Sequence, residues 1–120
     1  MGNASGVTSL GTLTPDNLQA GEFPVVTRKR TIASGAGVLI RGTVLGRITA
    51  SGKFVKSLSA AVDGSQTPRE ILLQDVDATA ADKEAITALT GEFNVAALTI
   101  GAGHTAASIR DGLQDLSIFI

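Results

Sequence analysis

Two short β-rich runs, "TVLGRIT" at 43–49 and "KFVK" at 53–56, are joined by Ala50-Ser51-Gly52, and this junction constrains the fold more than any other feature. A three-residue hairpin loop commonly takes a type I turn followed by glycine in the left-handed conformation. That register sets Thr49 opposite Lys53, Ile48 opposite Phe54 and Arg47 opposite Val55. Ile48 and Phe54 then form an apolar cross-strand pair, with Val44 on the same face. A phosphate-binding loop competes for the same residues, but it needs G-x-x-x-x-G-K-[ST]. Here five residues separate Gly46 from Gly52, and Phe54 stands where the metal-binding hydroxyl belongs. The hairpin reading is the better one.

Other short runs follow the same logic. "REILLQDV" reads as a buried strand through Ile71, Leu72 and Leu73, after a "DGSQTP" turn at 63–68. "DATAADKE" reads as a polar connection. "AITALTGEF" alternates Ile86, Ala88 and Thr90 against Thr87 and Leu89, while "NVAALTI" fits a short helix or a strand equally well. Near the end, Thr105 can cap a helix whose Ala106, Ile109, Leu113 and Leu116 share one face, with Arg110 and Asp111 opposite. "SIFI" reads as a last strand. Residues 1 to about 22 are rich in Gly, Ser, Thr and Asn and hold no period of two or 3.6. Ordering a backbone costs about 1–2 kcal/mol per residue, and so little apolar area cannot offset it. This stretch is expected to be a disordered arm in the free protein. "FPVVTRKR" at 23–30 continues it as an extended segment.

With 120 residues, the chain reads as one domain plus a tail. Only 3% of residues are aromatic and 18% are charged, so a core of Val, Ile, Leu and Ala buries modest area and further burial in an oligomer is expected. There is no cysteine, which excludes disulfides, thiolate metal sites and thiol nucleophiles. No signal-peptide pattern and no apolar run of roughly 18 residues is present, so the chain reads as soluble and cytoplasmic, without a membrane partner. Charge is segregated. Arg28, Lys29, Arg30, Arg41, Arg47, Lys53 and Lys56 lie in a stretch free of acids, whereas acids prevail from Asp63 onward.

Few residues invite chemistry. Gly101-Ala102-Gly103-His104-Thr105-Ala106 matches the dinucleotide fingerprint G-x-G-x-x-[GA], but only 14 residues follow, too few for the strand and acidic residue that complete such a site. A calcium loop counted from Asp75 fails at its fifth, sixth and twelfth positions, occupied by Thr79, Ala80 and Ile86. His104 is the single histidine, and no G-x-S-x-G elbow accompanies it. Neither an enzyme, a cofactor nor a metal is expected. The rival to a structural role is a small β-rich nucleic-acid-binding module using residues 28–56. Against it stand the one aromatic of that segment, Phe54, and a net charge of −1.

The ordered part resembles the head decoration protein D family of tailed bacteriophages. The resemblance lies in Leu45-Gly46-x-Ile48-Thr49-x-Ser51-Gly52-Lys53, Asp63-Gly64-Ser65-Gln66, Leu72-x-x-Asp75-Val76-Asp77-Ala78-Thr79 and Gly91-Glu92-Phe93-Asn94-x-x-Ala97-Leu98. These elements keep the family's order and spacing over roughly residues 36–120. The resemblance implies a mainly β, β-clip or β-tulip-like single domain with a short C-terminal helix and a flexible N-terminal arm. It divides the chain into an arm (1–35) and a decoration domain (36–120). It further implies a non-enzymatic capsid cement protein. Such a protein binds as a homotrimer to the major capsid protein at local three-fold sites of the expanded head and stabilises the head against packaged DNA. It would sit on the outer capsid surface of the virion, after passage through the host cytoplasm, and make no direct contact with nucleic acid. The candidate capsid-binding residues are Phe23, Pro24, Val25, Val26, Thr27, Arg28, Lys29 and Arg30, docked as an added β-strand. Contact residues cannot be transferred one by one, because the arm's sequence departs from that of other members.

Overall fold

Strands form where β-branched and apolar residues run for three to six positions between turn residues, and they close on one another. The computed structural model describes residues 24–120. Five strands make a closed barrel: β1 (Thr27–Ile32), β3 (Val44–Arg47), β4 (Phe54–Lys56), β5 (Pro68–Leu72) and β7 (Lys83–Ala88), in the order β1-β4-β3-β5-β7. Two ribbons complete the sheet structure. β2 (Gly37–Leu39) pairs antiparallel with β6 (Val76–Ala78), and β8 (Gly91–Glu92) pairs parallel with β9 (Ile118–Phe119). One helix, α1 (Ala106–Asp115), lies near the C-terminus, and the fold is mainly β, as expected.

The barrel wall separates two cores. Every barrel strand contributes inward to one of them: Ile32, Leu45, Phe54, Leu72 and Ala85, closed over by Leu39 and Ala78 of the β2–β6 ribbon. The other lies against the outer face, where Val44, Ile71 and Ala88 meet Phe93, Ile118 and the helix residues Ile109 and Leu113. Val44 and Leu45 are neighbours in β3 and enter different cores, as do Ile71 and Leu72 in β5. This follows from the two-residue period of a strand and explains why these runs are apolar without alternation.

The hairpin between β3 and β4 forms, but one residue away from the expected register. Arg47 is opposite Phe54, Gly46 opposite Val55 and Leu45 opposite Lys56. The Ile48 N–H donates to the Lys53 carbonyl (2.8 Å) and the Gly52 N–H to the Ile48 carbonyl (2.8 Å), so the loop holds four residues, Thr49 to Gly52. Gly52 does take the left-handed conformation, with φ 74°. A one-residue slip moves every side chain to the other face. Phe54 therefore shares the barrel interior with Leu45, while Val44 faces the helix and Ile48 forms no cross-strand pair with Phe54. Burial of the hairpin's one aromatic ring, Phe54, decides the register, since the turn residues allow either.

Elsewhere the reading and the structure meet closely. Thr105 caps α1 in a capping box with Ser108: the Ser108 N–H donates to Thr105 Oγ1 (3.1 Å) and the Thr105 N–H to Ser108 Oγ (2.8 Å). Leu116 departs from the expected apolar face, for it is the C-cap and 39% exposed. "NVAALTI" resolves as a 3₁₀ turn at Val95–Ala97, capped by Asn94. The expected polar connection at 77–84 holds the end of β6 and the start of β7. Val38 opposite Asp77 and Gly37 opposite Ala78 give β6 its partner, which local polarity concealed.

Of the expected arm, residues 1–23, with the disorder expected for them, lie outside the described residues. Thr27–Ile32, assigned from sequence to the arm, form β1 and pair antiparallel with β7 at six successive positions, from Thr27↔Ala88 to Ile32↔Lys83.

Candidate functional site

The segment from Pro24 to Arg30 enters the barrel along a defined track, while Phe23 lies outside the described residues. Thr90 Oγ1 donates to the Pro24 carbonyl (2.8 Å) and accepts from the Val26 N–H (3.1 Å). Val25 packs against the helix-side core, and Val26 is half exposed. The Leu89 N–H donates to the Val26 carbonyl (2.7 Å). In an antiparallel ladder main-chain bonding alternates. Arg28 and Arg30 therefore turn their main-chain groups toward β7, and Thr27 and Lys29 turn theirs to the opposite side. On that side β4 meets β1 at one pair among the described residues, Ile32↔Phe54. Thr27, Arg28 and Lys29 are exposed, and among the described residues no strand pairs with the first half of β1 on that side, which carries basic side chains.

Arg30 is set apart from its neighbours. Its guanidinium is bidentate on Glu70, with Nε 3.1 Å from Oε1 and Nη2 2.8 Å from Oε2, and it lies over the Phe54 ring at 5.2 Å from the centroid. Thr87 Oγ1 donates to Glu70 Oε1 (2.6 Å). Glu70 and Thr87 are buried, so β1, β5 and β7 are tied by a charge-assisted network. These partners were not foreseen. The available signal was an acid inside the apolar run "REILL".

The charge segregation of the sequence cancels in part in space. Lys53 Nζ is 2.6 Å from Asp82 Oδ2, Lys29 Nζ is 3.8 Å from Glu84 Oε1, and Arg30 holds Glu70. Arg41 donates to the Leu73 carbonyl (2.7 Å). Three members of the basic stretch thus meet acids from the second half of the chain, which weakens a continuous positive track for nucleic acid.

The remaining sequence motifs serve local structure. Asp63 Oδ1 accepts from the Ser65 hydroxyl (2.6 Å) and N–H (3.0 Å), and Asp77 Oδ1 accepts from the Thr79 hydroxyl (2.6 Å) and N–H (3.0 Å). The side-chain bond from Ser65 leads in holding the Asp63 carboxyl below the usual carboxylate range, and that from Thr79 does so for Asp77. For Asp82 the leading cause is the bond from Lys53. The glycines of the apparent dinucleotide fingerprint bring two loops together instead. A Cβ on Gly101 would land on the Ser57 carbonyl, so only glycine permits this approach. His104 Nε2 lies 3.3 Å from the Ser57 hydroxyl, and Ser57 is fully buried. Among the described residues no group of three metal-ligating side chains forms, and no helix is long and apolar enough to cross a membrane.

The sequence model of the bacteriophage lambda head decoration protein D family matches residues 12–119. The chain belongs to this family. No individual curated protein matches it. As a head decoration family member, the chain has a capsid decoration role, a structural one exercised on the phage head surface. The match takes in β1 and continues upstream of it. The motifs that carried the resemblance are the β3–β4 turn, the Asp63–Ser65 turn, the β5–β6 corner and the β8–Asn94 cap.

Proposed function

We propose that this protein is a non-enzymatic cement of the expanded phage head, bound as a trimer to the major capsid protein at local three-fold sites and stabilising the shell against the pressure of packaged DNA. The observation that carries the proposal is the family match over residues 12–119. Residues 23–30 are the proposed capsid contact. The free edge of β1 supports a strand-addition mode, in which main-chain groups supply affinity and alternate side chains supply specificity. Thr27 and Lys29 have main-chain groups available for a partner strand, whereas the Val26 N–H is already engaged by Thr90. Arg28 and Lys29 give the edge a positive charge that favours an acidic partner segment.

Sedimentation with expanded heads stripped of decoration protein tests this reading. Thr27→Pro removes one free-edge donor without changing charge or the bonds to β7, and Thr27→Ala is its control. Losing one hydrogen bond weakens binding about fivefold per arm, and the loss compounds when three arms bind together. Thr27→Ala should bind as the unsubstituted chain does. Equal binding by both variants, with loss only after Arg28 and Lys29 are neutralised, would leave electrostatics as the whole contact. Failure of the unsubstituted chain to bind heads would overturn the function itself.

A further inference from the structure

A small cavity opens beside the point where the described chain begins. It measures about 270 Å³ and is lined by Arg30, Arg69, Glu70, Leu89, Thr90 and Leu116. Thr90 joins the cavity to the incoming chain, because its hydroxyl donates to the Pro24 carbonyl (2.8 Å) and accepts from the Val26 N–H (3.1 Å). Two of the three charges in the lining are already matched: Glu70 is held by Arg30 at both carboxylate oxygens and by Thr87. Arg69 is exposed and makes no ion pair among the described residues, so the cavity keeps one cation in excess. Leu89 and Leu116 set apolar walls near that charge. A carboxylate on a short aliphatic stem suits both.

The sequence supplies such a group close at hand. Glu22 stands two residues before Pro24, and two residues of extended chain span about 7 Å. Between Met1 and Thr27 the acids are Asp16 and Glu22, and no Lys, Arg or His is there to compete for them. An acid tethered so closely meets Arg69 at an effective concentration on the order of millimolar. Acids on a separate molecule at micromolar concentration do not match that.

We propose that this cavity is the seat of the chain's own Glu22, with its carboxylate on the Arg69 guanidinium and its methylenes against Leu89 and Leu116. The pair clasps the root of the N-terminal segment to the barrel. Residues 23–26 are then fixed at both ends, by Glu22 on Arg69 and by Thr27 opposite Ala88, with Thr90 between. The purpose of the clasp rests on the capsid contact proposed above: a contact segment laid out before binding loses less conformational freedom on the head.

Nitrogen relaxation NMR of the full-length free chain reads the clasp without heads. The Glu22 amide should show an order parameter above about 0.6, and Arg69→Met or Glu22→Gln should each lower it below that value. The reversed pair, Glu22→Arg with Arg69→Glu, should restore it. An order parameter unmoved by Arg69→Met, or a response that depends on protein concentration and so involves a second copy, would overturn the proposal. Sedimentation with stripped heads then tests the purpose. Arg69→Met and Glu22→Gln should weaken binding equally, by about two- to fivefold per arm. Weakening by Arg69→Met alone gives the cavity to an acid of the capsid and overturns the seat of Glu22. Binding unmoved by either variant defeats the part assigned to the clasp. Heads that do not bind the unsubstituted chain defeat the function proposed above, while the NMR result still decides the clasp.

Discussion

Arg30 and Glu70 face each other across the end of the barrel with both carboxylate oxygens engaged, at 2.8 and 3.1 Å. The Glu70 side chain is 5% exposed and that of Arg30 is 31% exposed, so the carboxylate depends on its partner for compensation. Removing one member of a buried pair leaves an unpaired charge, whereas replacing both with apolar groups is often neutral. Arg30→Ala is expected to destabilise the fold by about 3 kcal/mol. The double replacement Arg30→Met with Glu70→Leu should recover most of that loss in denaturant titration. Additive losses would show that the two residues do not act as a pair.

Acid should loosen the turns before neutral pH changes anything. Asp63, Asp77 and Asp82 are held below the usual carboxylate range, chiefly by bonds from Ser65, Thr79 and Lys53 respectively. A depressed carboxylate contributes stability that is complete above its unfolded value and lost as pH falls through its folded value. The contribution of these three groups is therefore constant above about pH 5 and declines below about pH 4. Carboxylate NMR titration checks this directly. Lys53→Met should move Asp82 back toward the usual carboxylate range and leave Asp63 in place.

Gly101→Ala forces a methyl group onto the Ser57 carbonyl, and backbone cannot step aside as a flexible side chain does. Overpacking of this kind costs about 1–3 kcal/mol. Hydrogen exchange at Ser57 and Ser59 should accelerate, since the Ser59 N–H donates to the Ala102 carbonyl (3.1 Å) across the same contact. Unchanged exchange would mean that the two loops separate without consequence.

The helix is predicted to depend on both its cap and its buried face. Thr105→Ala removes the side-chain acceptor of the capping box and should cost about 1 kcal/mol. Leu113 is fully buried between α1 and the barrel wall, and Leu113→Ala should cost about 3 kcal/mol. Thermal unfolding of both variants distinguishes a helix held by its end from one held by packing.

Much of this architecture is legible in the sequence because its signals are local. Turn residues marked the hairpin and the 63–66 turn, and Thr105 marked the helix start. Two features escaped because they depend on distant partners. The hairpin register follows from where Phe54 is buried, among residues of the four other barrel strands and the β2–β6 ribbon, and not from Ala50-Ser51-Gly52. The basic run 28–30 reads as part of the capsid-docking arm because its counter-charges, Glu70 and Glu84, lie more than 35 residues downstream. Of the proposed contact segment, the extended character was readable. Its six-rung attachment to β7 was not, since a strand's neighbour is written in no local pattern.

That attachment has a mechanical meaning. A pull applied at Pro24 along the axis of β1 meets rungs to β7 that lie across that axis. Tension then shears all six pairs at once instead of peeling them one by one, and the bidentate grip of Arg30 on Glu70 adds a brake partway along the slide. The whole strand would therefore bear such a pull together, and it resists stretching far better than the same bonds would resist being unzipped.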